Sequence, residues 1–357
     1  MKIMTIFGTR PEIIRLSLIL KVLDQHCQHI TVHTGENADV TLKDIFIRDL
    51  EIRTPDVTFN LKSDQAGDRS ALIDSVFEQH KPDRVLVLGG SNSALAGITA
   101  SRRKIPVFHM DAGSRCFDES VSEEVNCKTV DHAGTVLLPY TNRSKDNLLR
   151  EGIEQSRIFV TGNPIKEVLD TFEGTIETSD IMNALGVKPF EYFLVTVDRS
   201  ENIDDPDRLK KIFGGLADVT KKFGKNILVV THPYTAEKLD QHDIRPSSPN
   251  IRLIEAMSFF DLVKLEKNSL AVLTDSGSVQ EECCISRIPN ITLRDVTDRP
   301  ETIECGSNIL SGTEPDAIVR AVELAIAQPA SWTPPAEYLM PNVSQIISRI
   351  LLGYIKP

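Results

Sequence analysis

One tryptophan, six cysteines and an aromatic content of 6% in 357 residues leave little of what several protein classes depend on. The cysteines (Cys27, Cys116, Cys127, Cys283, Cys284 and Cys305) form no CxxC pair and stand at no metal-type spacing from a histidine. That excludes a disulfide scaffold and a zinc module, and the cysteines read as reduced thiols of a cytoplasmic protein. No GxGxxG follows a strand candidate, so a dinucleotide fingerprint is missing. No stretch reaches the roughly eighteen apolar residues of a membrane helix, and the N-terminal apolar run is too short for a signal peptide and is followed by charge. Cations are outnumbered, 40 Lys and Arg against 51 Asp and Glu, for a net charge of -11. Without a local basic patch, nucleic acid and anionic membrane are not expected partners. An anionic ligand has to be held by a few well-placed cations.

What the chain does have is alternation. Short β-branched runs take turns with longer amphipathic segments, the pattern of parallel sheets with helical crossovers. Strands are predicted at Lys2 to Phe7, His29 to His33, Arg84 to Leu88, Pro106 to Met110, Thr135 to Leu138 and Ile158 to Val160. A second series follows at Tyr192 to Thr196, Asn226 to Val230, Ile251 to Ile254, Ala271 to Thr274 and Asn290 to Thr292. Pro11 suits a first helical turn, and the Ile and Leu residues from Ile13 to Leu23 predict a helix buried on a sheet. The polar stretch Asp170 to Pro189 is the linker candidate. The segment SWTPPAEYLMPN is too proline-rich for regular structure, and Val343 to Tyr354 predicts a closing helix. The fold class is therefore α/β, with two Rossmann-like doubly wound domains facing across a cleft. Residues 1–172 form the first, residues 173–334 the second, and residues 335–357 a tail. A ligand belongs outside the carboxyl ends of the strands.

Four strand ends carry chemistry. Gly8-Thr9-Arg10-Pro11-Glu12 is a tight turn into a helix, and Arg10 reads equally as an anion partner or a solvated loop cation. Asp275-Ser276-Gly277-Ser278 opens a helix whose N–H groups and dipole suit a phosphate, although Ser and Asp also serve as ordinary caps. Glu282, one turn beyond Ser278, is placed to accept hydrogen bonds from a ribose diol. His232 and Arg299 close two further strands of the second half. In the first half, His109, Asp111, Glu123, Glu124, Asp131 and His132 gather after one strand, either as a general acid/base set or as a solvated acidic turn.

In order along nearly the whole chain, GTRPEIIRLS, VHTGEN, RRKIPVFHMDAGSRCFD, SEEVN, NLLREGI, TGNP, THP, TDSGSVQEE and LRDVTDRPE resemble the non-hydrolysing UDP-N-acetylglucosamine 2-epimerase family. GTRPEIIRLS and RRKIPVFHM…RCFD are most similar to the branch that forms UDP-N-acetyl-L-fucosamine from its talosamine 2-epimer for surface polysaccharide. The resemblance implies a glycosyltransferase-B type fold, a UDP-sugar substrate, a homodimer, and a C-terminal helix packing back on the first domain. It also implies C2 inversion without metal or nicotinamide, through elimination of UDP to a 2-acetamidoglycal and re-addition. Carried over by position, it gives UDP contacts at Arg10, His232, Ser276, Gly277, Ser278, Glu282 and Arg299. Catalytic positions fall at Arg15, Asp111, Glu123 and Asp198.

The chain departs from the family pattern at several of these. Gly89-Gly90-Ser91 stands where Gly-Asp-Thr is usual, Arg15 replaces a lysine, Asp111 a glutamate, Cys127 an arginine, and Asp198 a histidine. His33-Thr34-Gly35-Glu36 replaces the activator segment His-Thr-Gly-Gln, so allosteric activation is not expected. The alternatives to an epimerase are a catalytically degenerate UDP-sugar-binding homologue and a hydrolysing variant that releases UDP and free sugar. A gain in activity on restoring Gly90→Asp together with Asp198→His would identify the missing chemistry directly.

Overall fold

The computed structural model of the chain describes residues 1–36, 40–59, 66–328 and 330–354. Asn37 of the VHTGEN motif and the last three residues of the tail lie outside the described residues. The chain divides into two compact units, Met1–Asp170 with Ala336–Pro357, and Thr171–Pro335.

In the first unit the strands are Lys2–Phe7 (β1), Gln28–His33 (β2), Val57–Thr58 (β3), Arg84–Leu88 (β4), Val107–Met110 (β5) and Val136–Leu138 (β6). They lie in the order β3-β2-β1-β4-β5-β6, all parallel. From Ile3 to Phe7 every residue of β1 is buried, as a parallel strand with helices on both faces must be. In the second unit Tyr192–Thr196 (β7), Asn226–Thr231 (β8), Ile251–Glu255 (β9), Val272–Thr274 (β10), Asn290–Thr292 (β11) and Asn308–Leu310 (β12) form a second parallel sheet, β12-β11-β10-β7-β8-β9. Read from its other edge, it has the same winding as the first. Strand alternation sends Phe193 and Val195 to one face and Tyr192 and Leu194 to the other, each into its own apolar cluster.

The doubly wound α/β class is therefore observed, with corrections of detail. The expected strand Ile158 to Val160 is one parallel bridge from Leu137 to Ile158, because the chain enters it from a 3-10 turn at Gln155–Arg157. β3 and β12 are additional edge strands of two and three residues. The polar stretch after Asp170 contains short helices at Glu173–Glu177 and Ile181–Leu185, and the proline-rich segment contains a 3-10 turn at Ala336–Leu339. Among the described residues no helix is long and apolar enough to cross a membrane.

The first unit is completed by chain from beyond the second. The Asn163 N–H donates to the Glu337 carbonyl at 3.0 Å, and Glu167 accepts from the backbone and hydroxyl of Ser344 at 2.8 and 2.7 Å. The helix Val343–Gly353 packs on the helix Arg10–His26 with Val343, Ile347 and Leu351 buried. The Arg84 guanidinium donates to the carbonyls of Leu351 and Tyr354, satisfying the helix end.

Candidate active site

In a doubly wound sheet the strand order reverses at one point, and the loops that diverge there are the natural ligand platform. In the first unit those loops follow β1 and β4. A buried carboxylate ties them together. Glu12 accepts from the N–H groups of Gly8 and Thr9 at 2.7 and 2.8 Å through Oε2, and from the hydroxyls of Ser91 and Ser93 at 2.5 and 2.6 Å through Oε1. Glu12 thus sets the turn that presents half-exposed Arg10. Arg15, one turn further on, is 5% exposed and lies 5.9 Å from the centre of the Tyr140 ring.

The acidic residues come from β5 and the helix Ser122–Ala133. Asp111 is buried and left-handed at φ 57°, a conformation a carboxylate tolerates better than an apolar residue does. Two residues on, Gly113 is also left-handed, and a Cβ there would stand 2.2 Å from the Ser144 carbonyl, so only glycine fits. Asp131 fixes this turn from below. It accepts from the Gly113 N–H at 3.0 Å, from His109 Nδ1 at 2.8 Å and from Arg115 at 2.7 Å. The other ring nitrogen of His109 donates to the Gly89 carbonyl at 2.9 Å, which links the loops after β4 and β5. Burial alone would raise the Asp131 carboxyl, but His109 and Arg115 hold it below the ordinary value. His109, Cys127 and Asp131 could hold a metal ion by proximity, yet both His109 nitrogens are committed and Arg115 already supplies the positive charge. Burial and the Asp131 charge push the Cys127 thiol well up, so it is an inert filler where the family pattern has a guanidinium.

Half-exposed Glu123 starts the same helix and accepts from the Ser122 hydroxyl at 3.0 Å. Its backbone lies against Gly90, where a Cβ would come within 2.3 Å of the Glu123 carbonyl oxygen. Asn126 closes the contact by donating to the Gly90 carbonyl at 2.9 Å. The start of this helix therefore occupies the space in which a residue 90 side chain would begin.

The second unit repeats the device at its own reversal, between the loops after β7 and β10. Fully buried Asp275 accepts from the N–H groups of Asp198 and Arg199, both at 3.1 Å, and from Asn202 at 3.0 Å. Burial, with the charge of Asp198 adding to it, pushes Asp275 up to about 7. Asp198 itself is exposed. Ser276 stands at the N-cap of the helix Gly277–Ser286 but makes no side-chain cap bond, so a capping role does not account for it. Asp298 reaches this helix start, with Oδ1 3.5 Å from the Cβ position of Gly277. It is ion-paired to Arg299 at 2.9 Å and Arg294 at 3.2 Å. Burial works against its charge, but Arg299, Arg294 and Arg199 hold it well below the usual carboxylate range. Arg299 also pairs with Glu281 of the helix.

His232 caps the helix Pro233–Gln241, its Nδ1 accepting from the Tyr234 N–H at 3.3 Å. Glu282 is 3% exposed and hydrogen-bonds fully buried Glu266, whose carboxyl is pushed well up by desolvation and by the Glu282 charge. The expected residues therefore form two sets. Arg10, Arg15, Asp111 and Glu123 belong to the first unit; Asp198, His232, Ser276, Gly277, Ser278, Glu282 and Arg299 belong to the second. Sequence reasoning missed Glu12 and Arg115, whose partners are distant in the chain, and Arg294 and Asp298, which pair with each other four residues apart. It also missed Phe117, 69% exposed at a left-handed φ of 59° in the loop between Asp111 and Glu123, although RCFD had marked that loop.

The sequence profile of the family described as UDP-N-acetylglucosamine 2-epimerase matches residues 21–352. The chain belongs to this family. It is 39% identical over 352 residues to the UDP-N-acetylglucosamine 2-epimerase of Methanocaldococcus jannaschii, covering 94% of this chain and 95% of that one. It is 32% identical over 337 residues to the UDP-2,3-diacetamido-2,3-dideoxy-D-glucuronate 2-epimerase of Pseudomonas aeruginosa, with 92% and 93% covered. The crystal structure of the M. jannaschii UDP-GlcNAc 2-epimerase in complex with UDP-GlcNAc and UDP matches with a TM-score of 0.94 at 36% identity, covering 99% of this chain and 100% of that one. Membership makes the chain an isomerase of the 2-epimerase type and agrees with the two reversal-point platforms described above.

Proposed function

We propose that this chain is a UDP-2-acetamido-sugar 2-epimerase that works by elimination and re-addition. The C2 proton of a 2-acetamido sugar is not adjacent to a carbonyl, so direct deprotonation is prohibitively slow. In the proposed reaction a base takes the C2 proton while the C1–O bond to UDP breaks, leaving a C1=C2 double bond and UDP. UDP oxygen then attacks C1 as a proton arrives at C2 from the other face. Asp111 and Glu123 are the acid/base pair. The N-terminal turn at Ser276 and Gly277, with Arg10 and Arg299, holds the departing diphosphate through backbone donors and charge. Glu282 takes the ribose diol, His232 and Ser278 complete the nucleotide contacts, and Arg15 steadies the developing charge. Asp198 keeps its place in this set through the Asp275 clamp on its backbone.

The observation that carries this reading is the division of chemistry between the two reversal points: carboxylates at one, and at the other a helix start whose N-cap Ser276 side chain makes no cap bond, beside arginines paired to Asp298. The GTRPEIIRLS and RCFD segments favour a 6-deoxy substrate in surface polysaccharide supply, and the family resemblance a homodimer. All six cysteines are free, which favours a cytoplasmic setting.

Incubation with UDP-GlcNAc and with UDP-linked 6-deoxy-2-acetamido sugars in D₂O tests the proposal. Deuterium at C2 with UDP still attached is the expected result. Free sugar with UDP identifies a hydrolysing variant, and binding of every substrate without exchange identifies a degenerate homologue; either outcome overturns the reading.

A further inference from the structure

The helix Gly277–Ser286 has two sulfur atoms near its end, and they do different things. Cys283 is fully buried in the apolar cluster with Tyr192, Leu194 and Leu265. Cys284 points the other way. Its Sγ lies 3.6 Å from Sγ of Cys305, the C-cap residue of the short helix Pro300–Glu304. Cys284 is buried, its carbonyl accepting from Trp332 Nε1 at 3.0 Å, whereas Cys305 is half-exposed. The two helices are already joined one turn before Cys284, where Arg299, at the N-cap of the second, pairs with Glu281 in the middle of the first. Glu281 and Cys284 are three residues apart and so share one helix face.

The thiols are unequal in the way that thiol–disulfide exchange uses. Hydrogen bonding from the Cys284 thiol, helped by Ser307, pulls Cys305 down to about 6. The same contact and burial raise Cys284. Cys305 is thus the exposed nucleophile and Cys284 the resolving partner within reach. Closing 3.6 Å to a disulfide of about 2.05 Å takes side-chain rotation and a small approach of two packed helices.

We propose that Cys284 and Cys305 form a reversible disulfide site driven by a small-molecule disulfide oxidant. The Cys305 thiolate attacks one sulfur of the oxidant and releases the first thiolate. Cys284 gives up its proton and attacks the Cys305 sulfur of the mixed disulfide, releasing the second. One protein S–S bond forms, the oxidant's S–S bond is reduced by two electrons, and two thiols leave. The bond pins the segment that begins with Arg299 to the helix that begins with Ser276 and Gly277. The site does not depend on the reaction the chain catalyses.

The test uses the full chain, reduced, freed of reductant and equilibrated without air against mixtures of oxidised and reduced glutathione. After acid quench and non-reducing digestion, mass spectrometry is expected to find a peptide pair lighter by two hydrogens. Fragmentation is expected to place the link on Cys284 and Cys305 with Cys283 free. Cys305→Ser is expected to abolish the link, and Cys284→Ser to leave a persistent glutathione adduct on Cys305. A link through Cys283, an unresolved adduct in the unaltered protein, or both thiols open to alkylation across the whole redox series would overturn the proposal.

Discussion

Asp275 is a carboxylate placed where burial opposes its charge, and its three donors only partly offset that cost. With a folded-state value of about 7 against an ordinary one near 4, the native chain holds a proton there that the unfolded chain has already lost. The stability this group contributes is present below about pH 4 and is lost as the pH rises through about 7. Part of the upward shift comes from Asp198, which is exposed and removable without disturbing the core. Asp198→Asn is therefore expected to lower the Asp275 titration, and each unit of lowering returns about 1.4 kcal/mol at pH 8. Urea unfolding of both proteins between pH 5 and 8 reads this directly, and parallel profiles would mean that the Asp198 charge does not reach Asp275. Glu12 and Asp275 also mark where sequence reasoning stops. Glu12 reads as an ordinary residue of a first helical turn, but its bonds to Ser91 and Ser93 span 79 and 81 residues. Arg294 read as one residue of a matched motif, and its burial to 1% exposure beside Glu201, 93 residues away, has no local signal.

Among the elements, the helix Ser122–Ala133 decides what residue 90 can be. Overpacking against backbone costs about 1–3 kcal/mol, and at Gly90 the obstructing atom is the Glu123 carbonyl oxygen itself. Gly90→Asp is expected to lower the melting temperature and to bring no gain in C2 exchange, read by circular dichroism and by deuterium incorporation. A variant as stable as the parent with faster exchange would show that the helix start yields easily. Elements buried on both faces were the legible ones, since β1, β4, β7 and β11 have the predicted bounds. β3 and β12 were not, because two or three residues at a sheet edge, most of them partly exposed, are too few to show a pattern. The five-residue helices after Asp170 are too short to display a helical period, so polarity made them read as linker.

For the whole molecule, the return of the chain to the first unit is an energetic necessity. Burying Val343, Ile347 and Leu351 amounts to about 5–9 kcal/mol, as much as many domains have in total. Deleting residues 336–357 is expected to unfold the first unit while the second keeps its protected amides, as hydrogen exchange with mass spectrometry would show. Uniform protection in both units would contradict this.

That same return sets an order on synthesis. The helix Val343–Gly353 is translated only after all of Thr171–Pro335, so its apolar seat on the helix Arg10–His26 waits uncovered on the ribosome. At about 5–20 residues per second the wait, from His26 to Gly353, is roughly fifteen to sixty-five seconds. The domain begun first is thus finished last, and a premature stop codon just beyond the second unit would strike the domain farther from it in the message.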